Sequence, residues 1–228
     1  AVSLINTINS ITSVDLERMI ALPIVGEAST HGGYCGSAVK PIALNMVAEI
    51  ARDPATHGLP ISGIGGIGSW RDAAEFIALG CGSVQVCTAA MLHGFRIVED
   101  MKDGLSRWMD SQGYRSIADF SGRAVGNTTD WKYLDINYQV IAKIDQQACI
   151  GCGRCHIACE DTSHQAVAAL KQADGTHKYQ VIDDECVGCN LCQITCPVQD
   201  CIEMVPKDNG KPFLDWNHDP RNPYHVAV

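Results

Sequence analysis

The feature that most limits what this chain can fold into is a repeated cysteine pattern. Cys149-x2-Cys152-x2-Cys155-x3-Cys159 is followed by Cys186-x2-Cys189-x2-Cys192-x3-Cys196, closed by Pro197. Two-residue gaps curl the backbone so that three thiolates can face one cubane iron–sulfur cluster. Gly151, Gly153 and Gly188 permit those tight turns and leave amide N–H groups free to point at sulfur. Zinc knuckles are the alternative, since four thiolates also bind zinc, but a zinc ribbon does not need a C-x2-C-x2-C-x3-C run, let alone two. Glu160 ends the first run where the second has Pro197, and a proline there shields a cluster without ligating it. The chain has twelve cysteines; Cys35, Cys81, Cys87 and Cys201 lie outside the runs. A disulfide framework belongs to small secreted domains, and Ala1 to Ser10 has no basic stretch or cleavage-like site. Clustered thiols of this kind therefore read as metal ligands in a reducing compartment, and the expected location is the cytoplasm.

The rest of the composition excludes several classes. A net charge of −9 over 228 residues offers no basic stripe for phosphate backbones, so no nucleic-acid partner is expected. No apolar run reaches the length of a membrane span, so no membrane partner is expected either. With 46 % hydrophobic and 19 % charged residues, the chain can bury an ordinary core.

Residues 1 to about 110 alternate short apolar runs with helical patterns, the mark of βα units. Strands are expected at Val2 to Ile5, Leu59 to Ile64 and Ser83 to Cys87, with Leu22 to Val25 ambiguous. Pro41 opens a helix to Ala51 with Ile42, Met46, Val47 and Ile50 on one stripe. Ser69 and Asp72 form a capping box for a helix over Trp70 to Leu79, with Gly80 as its C-cap, and a further helix is expected over Ala90 to Met109. Two glycine loops precede helices, His31 to Ser37 and Gly63 to Gly68. With Cys87-Thr88-Ala89 they could cradle one phosphate, although a Gly-Gly turn is more often only a turn. Asp174-Gly175 between partly apolar segments suggests a hairpin.

Both cysteine runs resemble bacterial ferredoxins, in which the fourth cysteine of each run ligates the other cluster. That resemblance implies one [4Fe–4S] cluster on Cys149, Cys152, Cys155 and Cys196 and a second on Cys186, Cys189, Cys192 and Cys159. The N-terminal motifs Ile5-Asn6-Thr7, Gly33-x-x-Gly36-Ser37-Ala38-x-x-Pro41, Gly65-Gly66-Ile67 and Val84 to Ala89 resemble, in order, the C-terminal half of the FMN barrel of the dihydroorotate and dihydropyrimidine dehydrogenase family. With a ferredoxin module behind such a barrel, the chain is similar throughout to the pyrimidine-reducing subunits of bacterial NAD-dependent dihydropyrimidine dehydrogenases. The fold implied is α/β: the C-terminal part of a TIM (β/α)8 barrel over 1–112, a linker over 113–143, a small α+β bacterial-type 2[4Fe–4S] ferredoxin domain over 144–206, and a C-terminal tail over 207–228.

Carried residue by residue, the resemblance places Asn6 and Thr7 against the pyrimidine, Asn6 offering the donor and acceptor that a uracil edge matches. A strand-end cap is the alternative for Asn6. Gly36, Ser37, Gly65, Gly66, Cys87, Thr88 and Ala89 would hold FMN. On its own chemistry Cys87 reads as a small buried residue; Cys35, Cys81 and Cys201 read as structural, and His31 as a loop residue. A complete barrel needs about 250 residues, so the earlier strands and the catalytic acid are expected outside this chain, and Cys35, Cys81 and Cys87 do not fall at its position. A half barrel is expected to expose sheet edges and a broad apolar face. The tail from Pro206, with its prolines, is expected as a polar extension or an arm onto a neighbouring subunit.

The implied activity is reduction of uracil or thymine to 5,6-dihydropyrimidines with electrons from NADH through the clusters and FMN. No G-x-G-x-x-G segment is convincing as a dinucleotide site, so an FAD- and NAD-binding flavoprotein subunit is expected as partner in a hetero-oligomer. The competing readings are an electron-transfer module without its own substrate and a dihydroorotate dehydrogenase-like enzyme.

Overall fold

The computed structural model describes residues 1–162 and 164–224. The chain forms two compact units, Ala1–Thr129 and Asp130–Val228.

The first unit begins with β1 (Val2–Leu4). A short-stranded excursion follows: β2 (Ile8–Ser10), β3 (Ser13–Asp15), β4 (Ile20–Leu22), β5 (Ile24–Val25), β6 (Ala28–Ser29) and β7 (Gly32–Tyr34), in which β2 pairs β7, β3 pairs β4 and β5 pairs β6, all antiparallel. The βα rhythm then resumes with α1 (Lys40–Arg52), β8 (Ile61–Ile64), α2 (Trp70–Ala78) and β9 (Cys81–Gln85). The three long-range strands form one parallel sheet in the order β1–β8–β9. Helices α1 and α2 cover one face of it, and Leu4, Val47, Ile61, Phe76 and Cys81 form the buried interior between them.

Local chemistry explains these elements. Pro41 sits in the first turn of α1, where its missing N–H costs nothing. Of the expected stripe, Val47 is fully buried and Ile50 packs against the core, whereas Ile42 and Met46 are exposed and Ala43 and Ala48 are buried instead. Small residues let the helix approach the sheet closely, which turns the larger pair outward. Ser69 and Asp72 make the expected capping box on α2, each bonding the other's backbone N–H. The single helix expected over Ala90 to Met109 is broken into α3 (Thr88–His93) and α4 (Ile97–Gln112), because Gly94 turns the chain at φ +80°.

The uncovered face of the sheet is not apolar as expected. Ser3, Ser62, Ser83 and Gln85 lie on it, with Gln85 Nε2 donating to Ser3 Oγ at 2.7 Å and Ser62 Oγ at 2.9 Å, and Ser83 Oγ donating to Ser62 Oγ at 2.8 Å. Residues 113–129, expected within the linker, pack into the first unit. Phe120 is buried against Trp108 and Tyr114, and the N–H groups of Gly122 and Ala124 bond the carbonyls of Ile77 and Ala78.

The second unit contains β10 (Val140–Ile144), α5 (Arg154–Asp161), β11 (Val167–Lys171), β12 (His177–Val181), α6 (Leu191–Thr195) and β13 (Ile202–Pro206). Strand β10 pairs β13 and β11 pairs β12, both antiparallel, the second pair as the expected hairpin. The tail folds back on its own unit and not outward as an arm. Lys207 N–H bonds Gln139 O at 2.9 Å, Ile136 N–H bonds Leu214 O at 2.8 Å and Trp216 N–H bonds Lys132 O at 3.1 Å. No helix among the described residues is long and apolar enough to cross a membrane.

Candidate functional site

At the C-terminal ends of the parallel strands lies a cavity of about 500 Å³, within the roughly 300–1,000 Å³ range of small-molecule and cofactor sites. Its walls include Asn6, Thr7, Gly36, Ser37, Gly65, Gly66, Cys87, Thr88 and Ala89. Every residue singled out for FMN or pyrimidine therefore meets in one place.

The glycines are dictated by close approach. Gly66 has φ +77°, and a Cβ there would lie 2.8 Å from Gly36 O and 2.8 Å from Lys40 Cβ. Gly65 has φ +133°, and its Cβ would stand 2.9 Å from Ala43. The two loops thus touch backbone to backbone, and no hydrogen-bond partner for the N–H groups of Gly65 and Gly66 exists among the described residues. A cradle of that shape, with open amides, fits a phosphate.

Lys40 fastens the two loops. Its Nζ donates to Asp72 Oδ1 at 2.5 Å and to Glu75 Oε2 at 2.9 Å, joining α1 to the start of α2. Asp72 Oδ2 also accepts from the N–H groups of Gly68 and Ser69 at 3.0 and 2.8 Å. Burial works to raise the Asp72 pKa, but the bonds from Lys40, Gly68 and Ser69 outweigh it and hold the carboxyl below its usual range. The hydrogen bonds to Asp72 and Glu75 raise Lys40 in turn. The run Gly63 to Gly68 does have G-x-G-x-x-G spacing between a strand and a helix. A dinucleotide site also calls for an acidic residue about 20 positions on, and residues 76–98 contain neither Asp nor Glu.

Asn6 Oδ1 accepts the Thr7 N–H at 2.8 Å, so it caps the strand end while its amide nitrogen stays open to the cavity. Cys87 is exposed on the cavity wall, contrary to the buried role expected, because it ends the strand run where helix α3 begins. Cys35 is likewise exposed there and accepts from Thr88 Oγ1 at 3.4 Å, whereas Cys81 is fully buried and burial pushes its thiol up to about 11. His31 lies in a loop outside the cavity lining. Sequence reasoning missed Tyr34, Gln85 and His93 as lining residues. Gln85 ends a parallel strand and His93 lies about one turn beyond Thr88 and Ala89, a placement that could have marked both.

In the second unit the cysteines surround two hollows. Cys149, Cys152, Cys155 and Cys196 line one; Cys159, Cys186, Cys189 and Cys192 line the other. Each hollow takes three cysteines from one run and the fourth from the other. Among the described residues no three His, Cys, Asp or Glu side chains are drawn together as one metal ion would hold them; the thiols stand around the hollows. Burial pushes the Cys155 thiol up to about 11 and raises Cys192, a cost that metal coordination would overcome by deprotonating the thiol outright. Backbone N–H groups already reach sulfur: Ala166 to Cys159 at 3.2 Å and Ala142 to Cys186 at 3.5 Å. At Gly188, φ +71°, a Cβ would stand 2.5 Å from Val140 O. Asn190 Oδ1, beside the second hollow, is buried without a partner among the described residues. Four run cysteines around each hollow and backbone amides on sulfur are the donor set that a cubane cluster takes.

Such a chain combines a wall of a flavin-type barrel with a two-cluster ferredoxin module. Comparison with known families agrees: residues 1–109 match the dihydroorotate dehydrogenase family and residues 142–204 match the 4Fe-4S dicluster domain family. The chain is therefore similar, segment by segment, to the dihydroorotate dehydrogenase and 4Fe-4S dicluster families. It is 44 % identical over 203 residues to the NAD-dependent dihydropyrimidine dehydrogenase subunit PreA of Escherichia coli (strain K12), covering 89 % of this chain and 48 % of that protein. It is 39 % identical over 127 residues to the chloroplastic dihydropyrimidine dehydrogenase (NADP(+)) of Arabidopsis thaliana, covering 54 % of this chain and 30 % of that one. With the catalytic subunit of dihydroorotate dehydrogenase B (NAD(+)) of Pyrococcus abyssi it shares 35 % identity over 121 residues, 53 % of this chain and 39 % of the relative. The chain spans about half the length, or less, of the curated relatives it matches.

Proposed function

We propose that this chain is part of an oxidoreductase that reduces uracil or thymine to the 5,6-dihydropyrimidine, with NADH as electron source, in the cytoplasm. The observation that carries the proposal is that one chain has both a flavin-sized cavity with a glycine cradle and two hollows each ringed by four run cysteines. When bound, the clusters pass single electrons and the flavin exchanges them as a hydride pair.

The chain's own residues would act as follows. The amides of Gly65 and Gly66, with Gly36, Ser37, Cys87, Thr88 and Ala89 around them, would bind the FMN phosphate end, and Lys40 with Asp72 would keep the two loops in register. Asn6 and Thr7 would orient the pyrimidine, the open Asn6 amide donating to a ring carbonyl. Cys149, Cys152, Cys155 and Cys196 would hold one cluster, and Cys186, Cys189, Cys192 and Cys159 the other. NADH would be handled by an FAD- and NAD-binding partner subunit, since the glycine loop lacks the acidic residue of a dinucleotide site.

A dihydroorotate substrate is the second reading. The similarity to the E. coli protein extends over 203 residues, against 121 for the dihydroorotate enzyme, so it reaches into the cluster unit and favours the pyrimidine reductase. The test is anaerobic purification with assay of iron, acid-labile sulfide and heat-released FMN, followed by uracil-dependent reoxidation of the reduced protein. About eight irons with FMN and reoxidation by uracil are expected. Iron without FMN would reduce the proposal to an electron-transfer module, and reoxidation by orotate in place of uracil would change the substrate.

A further inference from the structure

The cavity of the first unit offers an anion open amides but almost no charged side chain. Among the described residues that line it there is no Lys, Arg, Asp or Glu, and His93 is the one side chain able to carry a positive charge. The other cations of the neighbouring segments are committed elsewhere. Lys40 Nζ is held between Asp72 and Glu75, the Arg71 guanidinium lies over the Trp70 ring at 5.2 Å, and Arg96 stands outside the lining.

The place of His93 follows from helix α3. A Cβ on Gly36 would lie 3.6 Å from Thr88 Cγ2, and one on Gly68 would lie 3.9 Å from Ala89 Cβ, so the start of this helix touches both glycine loops. His93 is four residues beyond Ala89 and shares its face, one turn along. Gly94, at φ +80°, ends the helix directly after it. The imidazole is thereby exposed on the wall that α3 adds beside the cradle, whereas Asn6 and Gln85 stand where the strands end.

We propose that His93 binds the phosphate of a phosphate-monoester ligand, donating a ring N–H to one of its oxygens, and that it adds to the cavity's preference for a phosphorylated over an unphosphorylated flavin. The inference rests on the flavin reading given above. A phosphate monoester carries about 1.5 to 2 negative charges at neutral pH. The amides of Gly65 and Gly66 answer that charge with dipoles alone. An imidazole donates an N–H in either charge state and adds a full charge when protonated. Asn6, Thr7 and Gln85 are neutral and suited to a ring edge, so the loss of His93 should be felt by the phosphate and not by the ring.

The test is titration of the full chain, freed of bound flavin, with FMN and with riboflavin, each followed by flavin fluorescence. The readout is the ratio of the two dissociation constants. His93→Leu should weaken FMN about tenfold, the low end for a hydrogen bond to a charged group because the ring is exposed, and should move riboflavin by less than about twofold. His93→Lys should keep the FMN preference and make it fall more steeply with added salt. Inorganic phosphate should displace FMN from the unaltered chain more readily than from His93→Leu. An unchanged ratio in His93→Leu would overturn the proposal, as would an unaltered chain that binds both flavins equally. Equal losses of FMN and riboflavin would also overturn it, by making His93 a wall against the flavin ring. Unaltered protein with no affinity for either flavin would instead overturn the flavin reading, and this inference with it.

Discussion

Gly58 and Gly66 make a matched pair. They have nearly the same φ, +78° and +77°, but a Cβ on Gly58 would meet nothing within 4 Å. A Cβ on Gly66 would lie 2.8 Å from Gly36 O and Lys40 Cβ and 3.0 Å from Lys40 N. Alanine at either site costs about 1–2 kcal/mol for the left-handed conformation, partly offset by about 0.4–1 kcal/mol from a stiffer unfolded chain. Those two effects cancel between the variants. What remains at Gly66 is overpacking against backbone and against a lysine stem held by two carboxylates, roughly 1–3 kcal/mol. Urea unfolding should thus place Gly66→Ala about 2 kcal/mol below Gly58→Ala, or about 1 M lower in midpoint for an m-value of about 2 kcal/mol/M. Flavin retention on gel filtration should fall in the Gly66 variant alone. Equal midpoints and equal flavin retention would refute the claim that this glycine exists for loop-to-loop contact.

Lys40→Met should loosen both loops and cost about 1–2 kcal/mol, since the ion pair is only partly buried. Asp72 has a folded pKa below its unfolded value, so its stabilisation is present above the usual carboxylate range and lost as pH falls through the lowered value; Asp72→Asn should flatten that acid limb in unfolding curves. Cys196→Ser should remove the cluster grouped with Cys149, Cys152 and Cys155 and spare the other, taking iron from about eight toward about four per chain. Cys35 and Cys87, exposed in the cavity, should be alkylated in flavin-free protein and protected by FMN, while Cys81 stays unmodified; mass spectrometry of the labelled peptides decides it.

The sequence was most legible where geometry is set by spacing. Within each run the spacing states which three thiols lie together, and Ser69 with Asp72 states where α2 starts, because both patterns are local; the exchange of Cys159 and Cys196 between runs came only from the resemblance. The two glycine loops were legible as loops before helices, which allowed one shared phosphate cradle, and the resemblance assigned the residues of that cradle; Gly36 and Gly66 touch across α1 and β8. The helix break at Gly94 was obscured by an apolar stretch that runs on through Phe95 and Ile97. The stripe of α1 was misread for a related reason: hydrophobicity ranks Ile42 and Met46 above Ala43, but a helix pressed on a sheet buries what is small enough to let the backbones approach.

The polar ladder on the uncovered sheet face shows a different limit. Strand periodicity alone tells two faces apart; it does not say which one the helices will cover. Here the alternate positions Val2, Leu4, Ile61 and Gly63 face the helices, and Ser3, Ser62, Ser83 and Gln85 are left over. A buried-barrel expectation makes both faces apolar, yet these strands keep one face hydrogen-bonded to itself through Gln85. That changes what Gln85 does at the cavity mouth. With its amide nitrogen committed to Ser3 and Ser62, only its side-chain oxygen remains to face a ligand, so it can accept and not donate. Gln85→Leu should therefore weaken any bound ligand that offers an N–H, and should splay the Ser3–Ser62 contact across β1 and β8. Gln85→Glu should keep the acceptor but lose the two donated bonds. If ligand affinity followed the leucine and glutamate variants equally, Gln85 would be holding strands together and contributing nothing to recognition.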